Sequence, residues 1–177
     1  MQLDPVDRAR FYLQGLASLH LRRPAPPEDV AWVLRQAPPV EWAAGEEVFA
    51  MGSAADTAVL VVSGELVATV PAPDGERVVG SSGPWEMVGE TALFAPDRPR
   101  SATVRARRDS VGLRIAPSLL AAGRENAVVA ALEYLLLHTL SQRIRSTNAA
   151  IHAAWKELDG AAEGSTEAPT LPAGAPR

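Results

Sequence analysis

A glycine, two charged side chains and a hydroxyl stand close together in the middle of the chain. They lie in two short segments, Gly89-Glu90-Thr91-Ala92-Leu93 and Pro99-Arg100-Ser101-Ala102. A carboxylate such as Glu90 accepts hydrogen bonds from sugar hydroxyls, and the planar guanidinium of Arg100 can present two parallel donors to a phosphate. Gly89 lets the backbone pass close to a ligand. The residue types therefore predict a site for a molecule that carries both a sugar and a phosphate.

The two segments together resemble the phosphate-binding cassette of the cyclic-nucleotide-binding domain family, to which catabolite activator proteins belong. The family pattern is G-E-x-A-L, a variable loop, and P-R-[ST]-A. The resemblance implies that Glu90 binds the ribose 2′-hydroxyl and that Arg100 binds the cyclic phosphate. It further implies that Ser101 contacts a phosphate oxygen or the purine edge, and that the backbone of Gly89 and Ala102 closes the pocket.

The residues around the cassette carry further expectations. Backbone N–H groups of a short helical turn that includes Thr91 and Ala92 would add donors for the ligand. Trp85 and Met87, just before the cassette, occupy the place of a glycine-containing stretch in the family, and we expect both to be core residues.

A second group of candidate ligand residues lies on the predicted C-terminal helix. The polar residues Arg143, Thr147 and Asn148 match the stretch that, in the family, reaches the purine across a dimer. An alternative stays open, in which Thr147 only occupies a heptad position and Asn148 is solvated.

The elements that must position these residues are of mixed type. Apolar residues at helical spacing predict helices over Pro5–Leu21 and Glu28–Ala37, each ended by prolines. From Val40 to Ile115, alternating apolar residues between glycine-containing turns predict short strands, with a hairpin at Asp74-Gly75. Such strands indicate a sandwich or a jelly-roll barrel. The resemblance selects the jelly roll, so the expected fold is α+β: an antiparallel jelly roll flanked by N-terminal helices and a long C-terminal helix.

The C-terminal helix is predicted over residues 125–158 and carries an apolar stripe. Steps of three and four separate its members, which are Leu137, Leu140, Ile144, Thr147, Ile151, Ala154 and Leu158. An exposed stripe of this size favours a homodimer through the helix. The alternative is packing against the barrel or against the N-terminal helix near Phe11 and Leu16. The predicted domains are N-terminal helices (1–37), the jelly roll with its helix (38–158) and a disordered tail rich in Ala, Gly, Pro and Glu (159–177).

Composition and charge exclude some kinds of site and argue against some kinds of partner. The 177 residues include no cysteine, which excludes disulfides and thiolate metal sites, and the three histidines lack metal-ligand spacing. A formal net charge of −4, with no DNA-reading unit expected after the long helix, argues against DNA binding. No long apolar run or signal peptide is evident, so we expect no membrane partner and a cytoplasmic location.

The sequence therefore predicts a sensor or regulatory module. It would bind a 3′,5′-cyclic purine nucleotide, with cAMP favoured over cGMP, and would relay binding through the C-terminal helix to an unidentified protein effector. Nothing indicates catalysis, a metal or a cofactor. The alternative is a scaffold module that has lost the ligand. An enzyme of the cupin type is disfavoured because no histidine occurs between Val40 and Ile115.

Overall fold

Helices flank the chain on both sides of its β region. In the computed structural model, residues 3–95 and 97–164 are described, with side chains described as far as residue 156. The helices are α1 (Pro5–Leu21), α2 (Pro27–Gln36), α3 (Pro117–Ala122) and α4 (Ala127–Gly164). Each of the first three begins with proline, whose missing N–H costs nothing in a first turn.

The N-terminal helix confirms the sequence prediction at both ends. Helix α1 spans the predicted residues, and the Asp4 carboxylate caps it by accepting a hydrogen bond from the Asp7 N–H at 2.8 Å. Helix α2 begins one residue before the predicted Glu28. Helix α3 is absent from the sequence prediction, because its six residues are too few to show a helical period.

The described strands form one antiparallel sheet that curls into the expected jelly roll. They are β1 (Pro39–Trp42), β2 (Glu47–Phe49), β3 (Ala58–Ala72), β4 (Gly75–Ser82), β5 (Met87–Val88) and β6 (Thr103–Ile115). Their order is β1-β6-β3-β4, while β2 also pairs with β6 and β5 with β3. The predicted α+β class is therefore confirmed.

Strands β3 and β6 are long, with 15 and 13 residues, whereas the sequence suggests only short strands. The segment Ser63-Gly64-Glu65 is an irregularity inside β3, where the pairing with β6 shifts register. Gly64 has a φ of 94°, and a Cβ there would collide with Ser110 on β6. A glycine in a strand thus marks a bulge here and not a turn. The predicted hairpin is confirmed, but its two turn residues are Pro73 and Asp74, because Gly75 is the first residue of β4 and pairs with Ala72.

Apolar side chains on the two faces of the sheet belong to different cores. One face packs against the helices, and this helical core includes Leu13, Leu16, Leu60, Leu113, Ile115, Val128 and Leu132. The other face lines the barrel, and this barrel core includes Trp42, Phe49, Val61, Leu66, Val88 and Val104. Met87 is buried as predicted. Trp85 is not a core residue, because it is 42 % exposed.

The chain divides into two compact units, residues 1–139 and residues from 140 onward. The apolar stripe of α4 is exposed at Leu137 (67 %), Ile144 (63 %) and Ile151 (43 %). The side chain of Leu158 lies outside the described residues. Helix α4 includes residues 159–164, which fall within the predicted disordered tail, and the rest of that tail also lies outside the described residues.

Candidate ligand-binding site

The two predicted cassette segments meet at the end of β5. Gly89 follows β5 with a φ of 74°, a conformation that favours glycine, and it begins a 3-10 helix over Glu90–Leu93. Glu90 is a buried carboxylate, only 3 % exposed. The structure thus places a buried acidic side chain directly after a sharp change in backbone direction.

Arg100 approaches the same point from the loop before β6. Its backbone N–H donates to the Ser53 carbonyl and its carbonyl accepts from the Gly52 N–H, both at 2.9 Å, so the loop after β2 fixes its main chain. Its side chain donates from Nη2 to the Thr57 carbonyl at 2.6 Å and from Nη1 to the Gly89 carbonyl at 3.4 Å. The guanidinium therefore ties the second half of the cassette to the first.

The aromatic ring of Phe49 packs against this guanidinium. Arg100 Cζ lies 3.6 Å from the centroid of the Phe49 ring, which is a cation–π distance. A Cβ on Gly89 would lie 2.6 Å from Arg100 Nη1 and 3.0 Å from Phe49 Cε2. Gly89, Phe49 and Arg100 are thus one closely packed group, and a side chain at position 89 would disrupt it.

The charge on Arg100 is buried but only partly compensated. The side chain is 7 % exposed, and an exposed carboxylate, Asp56, lies 3.6 Å from its Nη2. Burial lowers the pKa of Arg100, the charge of Asp56 opposes this shift, and the positive charge of Arg114 adds to it. Arginine nevertheless stays protonated at neutral pH. Nε is buried, and no described residue accepts a hydrogen bond from it.

The other predicted ligand residues of the cassette differ in their exposure to solvent. Ala92 is buried and its N–H already donates to the Gly89 carbonyl at 3.1 Å, so this amide is not the spare donor that the sequence suggests. Thr91 and Ser101 are exposed, and Ala102 is half-buried.

The candidates on the long helix belong to the second compact unit. Arg143, Thr147 and Asn148 are exposed residues of α4. Their predicted contact with the purine stays a prediction.

Sequence reasoning missed the residues that surround the guanidinium from other elements. Phe49 lies at the end of β2, and Asp56 and Thr57 lie in the loop before β3. Arg114, near the end of β6, has its Cζ 5.4 Å from the Phe49 ring and donates to the Val48 carbonyl at 3.4 Å. The sequence gave a weak indication of this position. Arg114 and Gly112 alternate along β6 with the apolar Leu113 and Ile115, so they lie on the opposite face of the strand.

A hollow of about 400 Å³ lies on strands β3, β4 and β6, and its lining among the described residues includes no cassette residue. Its lining includes Val67, Val78, Arg105 and Arg107. The arginines form ion pairs with glutamates: Arg105 with Glu47 and Glu76, and Arg107 with Glu65, at 3.1–3.2 Å. These ion pairs give both arginines a carboxylate partner.

A family model described as cyclic nucleotide-binding domain matches residues 39–124, which include the whole cassette. The chain belongs to the cyclic nucleotide-binding domain family. It is 33 % identical over 125 residues to the CRP-like cAMP-activated global transcriptional regulator of Mycobacterium tuberculosis. That match covers 69 % of this chain and 54 % of the relative, so the chain spans about half the length of the curated relatives it matches.

Solved structures of family members agree with this assignment. The chain is similar to the Thermus thermophilus catabolite activator protein, with 26 % identity and a TM-score of 0.61 over 78 % of this chain and 62 % of that one. It is also similar to the N-terminal domain of a transcriptional regulator from Streptomyces coelicolor, with 28 % identity and a TM-score of 0.54 over 81 % and 96 %. The relatives described here are regulators or parts of regulators.

Two kinds of feature are absent from the described residues. None of the helices within residues 3–164 is long and apolar enough to cross a membrane. Over the same part of the chain, no group of three or more His, Asp or Glu side chains is arranged to hold a metal ion.

Proposed function

We propose that this chain is a sensor module that binds a 3′,5′-cyclic purine nucleotide at the cassette of Gly89, Glu90, Arg100 and Ser101. The observation that carries the proposal is the buried, charged guanidinium of Arg100, whose Nε has no acceptor among the described residues. A buried donor without an acceptor costs free energy, about 1–3 kcal/mol. A ligand phosphate oxygen at Nε would remove this cost and add a charge-assisted hydrogen bond.

Glu90 supports the sugar half of the proposal. Its buried carboxylate directly follows Gly89, whose carbonyl accepts from Arg100, so an acceptor for hydroxyls and a donor for phosphate are neighbours. A cyclic nucleotide holds its 2′-hydroxyl next to its cyclic phosphate. Such a ligand would place its 2′-hydroxyl near Glu90 and its phosphate near Arg100.

Within this class we favour cAMP over cGMP. The matched regulator from Mycobacterium tuberculosis is described as cAMP-activated. In the family, threonine at the position of Ser101 often accompanies a preference for cGMP, and this chain has serine there. Thr91 and Ala102 would line the pocket through their backbone, whereas the Ala92 N–H already donates to the Gly89 carbonyl.

The long helix is the proposed output of the module. We propose that two copies associate through the exposed stripe of α4 and that Arg143, Thr147 and Asn148 approach the purine in that dimer. Binding would then shift the helix only if its two positions differ in affinity for the nucleotide. An unidentified protein effector would read this change in the cytoplasm. We propose neither catalysis nor sequence-specific DNA binding for residues 1–177, in line with their formal net charge of −4.

A ligand series tests which chemical groups the site reads. Thermal unfolding of the wild-type chain should shift upward with cAMP and cGMP and much less with 5′-AMP, because a ligand stabilises the folded state more the more tightly it binds. Replacing cAMP by 2′-deoxy-cAMP should weaken binding to the wild type. In Glu90→Ala the two ligands should bind alike, since the partner of the hydroxyl is gone.

Other results of the same series would change the proposal. If 5′-AMP binds as well as cAMP, the site recognises a general nucleotide phosphate. If no nucleotide shifts the unfolding temperature at millimolar concentration, the chain is a scaffold module without this ligand.

A further inference from the structure

Phe49 lies outside the two cassette segments, yet its ring packs against a residue of each. It comes from β2, and it lies 3.6 Å from Arg100 Cζ and against the backbone of Gly89. Phe49 is itself 7 % exposed and belongs to the barrel core. Because its neighbours hold the ring, it presents a fixed aromatic face to the guanidinium.

A second cation shares this ring. The Cζ of Arg114 lies 5.4 Å from the same centroid, and its half-buried side chain donates to the carbonyl of Val48, the residue before Phe49. Two guanidinium groups near one another repel, and water screens this repulsion poorly at a buried site. The negative faces of an aromatic ring offset part of that repulsion.

The polar contacts of the Arg100 side chain differ in length and in exposure. Its hydrogen bonds to Thr57 and Gly89 involve only the two Nη atoms, and the Nη1 bond is long at 3.4 Å. Asp56 is almost fully exposed, at 81 %, so its ion pair with Arg100 is weakened by solvent. The ring of Phe49, whose centroid lies 3.6 Å from Cζ, adds a further contact to these polar ones.

We propose that Phe49 is a positioning residue for the ligand phosphate, holding the Arg100 guanidinium by cation–π stacking in the orientation that leaves Nε for a phosphate oxygen. This inference rests on the proposed function. It adds that affinity for an anionic nucleotide depends on an aromatic side chain at position 49 and not merely on an apolar one.

The first experiment is a calorimetric titration of cAMP into Phe49→Leu and Phe49→Tyr. Leucine fills much of the space without a π-face, so we expect affinity to fall about tenfold. Tyrosine keeps the face, so Phe49→Tyr should bind within about threefold of the wild type. The matched control is Trp42→Leu, because Trp42 is a buried aromatic of the same core that lies over Arg114. That variant should lose stability but keep its affinity within about threefold, because the Trp42 ring contacts Arg114 whereas the Phe49 ring also contacts Arg100.

The second experiment needs no ligand. In a ¹⁵N–¹H spectrum of the wild type, the Arg100 Nε–H signal, assigned by its loss in Arg100→Lys, should be shifted upfield by the ring current of Phe49. The shift should disappear in Phe49→Leu and persist in Trp42→Leu. A wild-type signal at the ordinary arginine position would overturn the stacking even if Phe49→Leu did not fold.

The outcomes separate this inference from the proposed function. If the wild type binds cAMP and Phe49→Leu binds it equally well, the role of Phe49 is wrong and the function stands. If Phe49→Leu and Trp42→Leu weaken binding alike, Phe49 acts only through core stability and the inference is again wrong. If the wild type binds no cyclic nucleotide while the upfield signal is present, the stacking is real, but both the function and the role of Phe49 in it are overturned.

Discussion

Arg100 combines properties that are rarely found together in a structural arginine. It is buried, it donates to two backbone carbonyls, and its Nε remains without an acceptor among the described residues. A purely structural arginine would have its remaining donor satisfied by the fold. We therefore interpret the guanidinium as an anion-binding group whose position is fixed by contacts with Phe49, Thr57 and Gly89.

Two features favour glycine at position 89: its positive φ and its close contact with Arg100 and Phe49. Gly89→Ala introduces a side chain at a φ of 74° and places its Cβ 2.6 Å from Arg100 Nη1. The matched control is Gly45→Ala, because Gly45 has a φ of 86° but a Cβ there would meet nothing within 4 Å. We expect Gly45→Ala to cost about 1 kcal/mol of unfolding free energy and Gly89→Ala about 2–3 kcal/mol.

Chemical denaturation of the two variants measures this difference. The nucleotide affinity should fall in Gly89→Ala alone, since only that change displaces the guanidinium. Equal losses of stability in both variants, with normal nucleotide binding, would show that Arg100 does not pack against Gly89.

The cassette residues could be predicted because they are close in sequence. Gly89, Glu90 and Arg100 form a short pattern whose chemistry can be read directly. Phe49 and Asp56 could not be predicted as site residues, and Arg114 only weakly, because tertiary contacts such as the pairing of β2 with β6 bring them to the cassette. No local pattern encodes those contacts, and a phenylalanine in a strand is normally read as core.

At the scale of elements, helix α1 contacts the loop that leads into the cassette. The rings of Trp85 and Tyr12 are stacked, with centroids 4.2 Å apart and an angle of 23° between planes. Trp85 has a φ of 72°, which is strained for an aromatic residue. Gly15 on α1 leaves room for the indole, since a Cβ there would lie 2.9 Å from the Trp85 ring.

This contact reverses the usual effect of replacing glycine within a helix. Glycine to alanine normally stabilises a helix by about 1 kcal/mol. We expect Gly15→Ala instead to lower the unfolding temperature and to change tryptophan fluorescence, because the new methyl group displaces the indole. Ser18→Ala, at an exposed position of the same helix, is the control and should be neutral or slightly stabilising. Stabilisation by Gly15→Ala would contradict the contact.

Helix α1 also contacts the start of α4 through a histidine. The rings of His20 and Tyr134 lie 4.8 Å apart. Burial lowers the pKa of His20, and the charge of His138 lowers it further. The folded state therefore prefers the neutral imidazole. This stabilisation is complete above the unfolded pKa of about 6.5 and is lost as the pH falls through the lower folded value.

A pair of thermal unfolding series tests this linkage. The unfolding temperature of the wild type should fall between about pH 7.5 and pH 5.5, a range in which exposed carboxylates stay ionised. His20→Gln should show a smaller fall over the same range. An identical pH dependence in the two proteins would exclude His20 as its source.

The sequence predicts elements well where local signals agree and poorly where tertiary pairing decides. Helix α1 has a capping aspartate, a first-turn proline and a helical period, and it has the predicted bounds. In β3, Gly64 signals a turn, yet the pairing with β6 continues past it. The size and apolar character of Trp85 favour a core position, but its neighbour Gly15 allows it to lie on α1 at the surface.

At the level of the whole molecule, the exposed stripe of α4 is the surface that we assign to the pairing of two copies. Exposed apolar residues that repeat along one helix face are typical of association surfaces. Leu137, Ile144 and Ile151 each leave at least two-fifths of their surface exposed. We expect a second copy of the chain to cover this stripe.

Charge placed on the stripe should separate the two copies. Light scattering should give about twice 18.7 kDa for the wild type and a single 18.7 kDa chain for Ile144→Glu with Ile151→Glu. The control is Gln142→Glu with Ala149→Glu, which adds the same charge on the opposite face of an ideal helix and should leave the dimer intact. A wild-type monomer well above micromolar concentration would rule the dimer out.

We predict that the Arg100 cassette binds a cyclic nucleotide. Isothermal titration of cAMP into the wild type and Arg100→Ala measures this directly. We predict saturable binding by the wild type and affinity at least about 30-fold weaker in the variant, because an anion buried without its cation costs about 2 kcal/mol or more. No binding by the wild type at millimolar cAMP, or equal affinity of the two proteins, would contradict the claim.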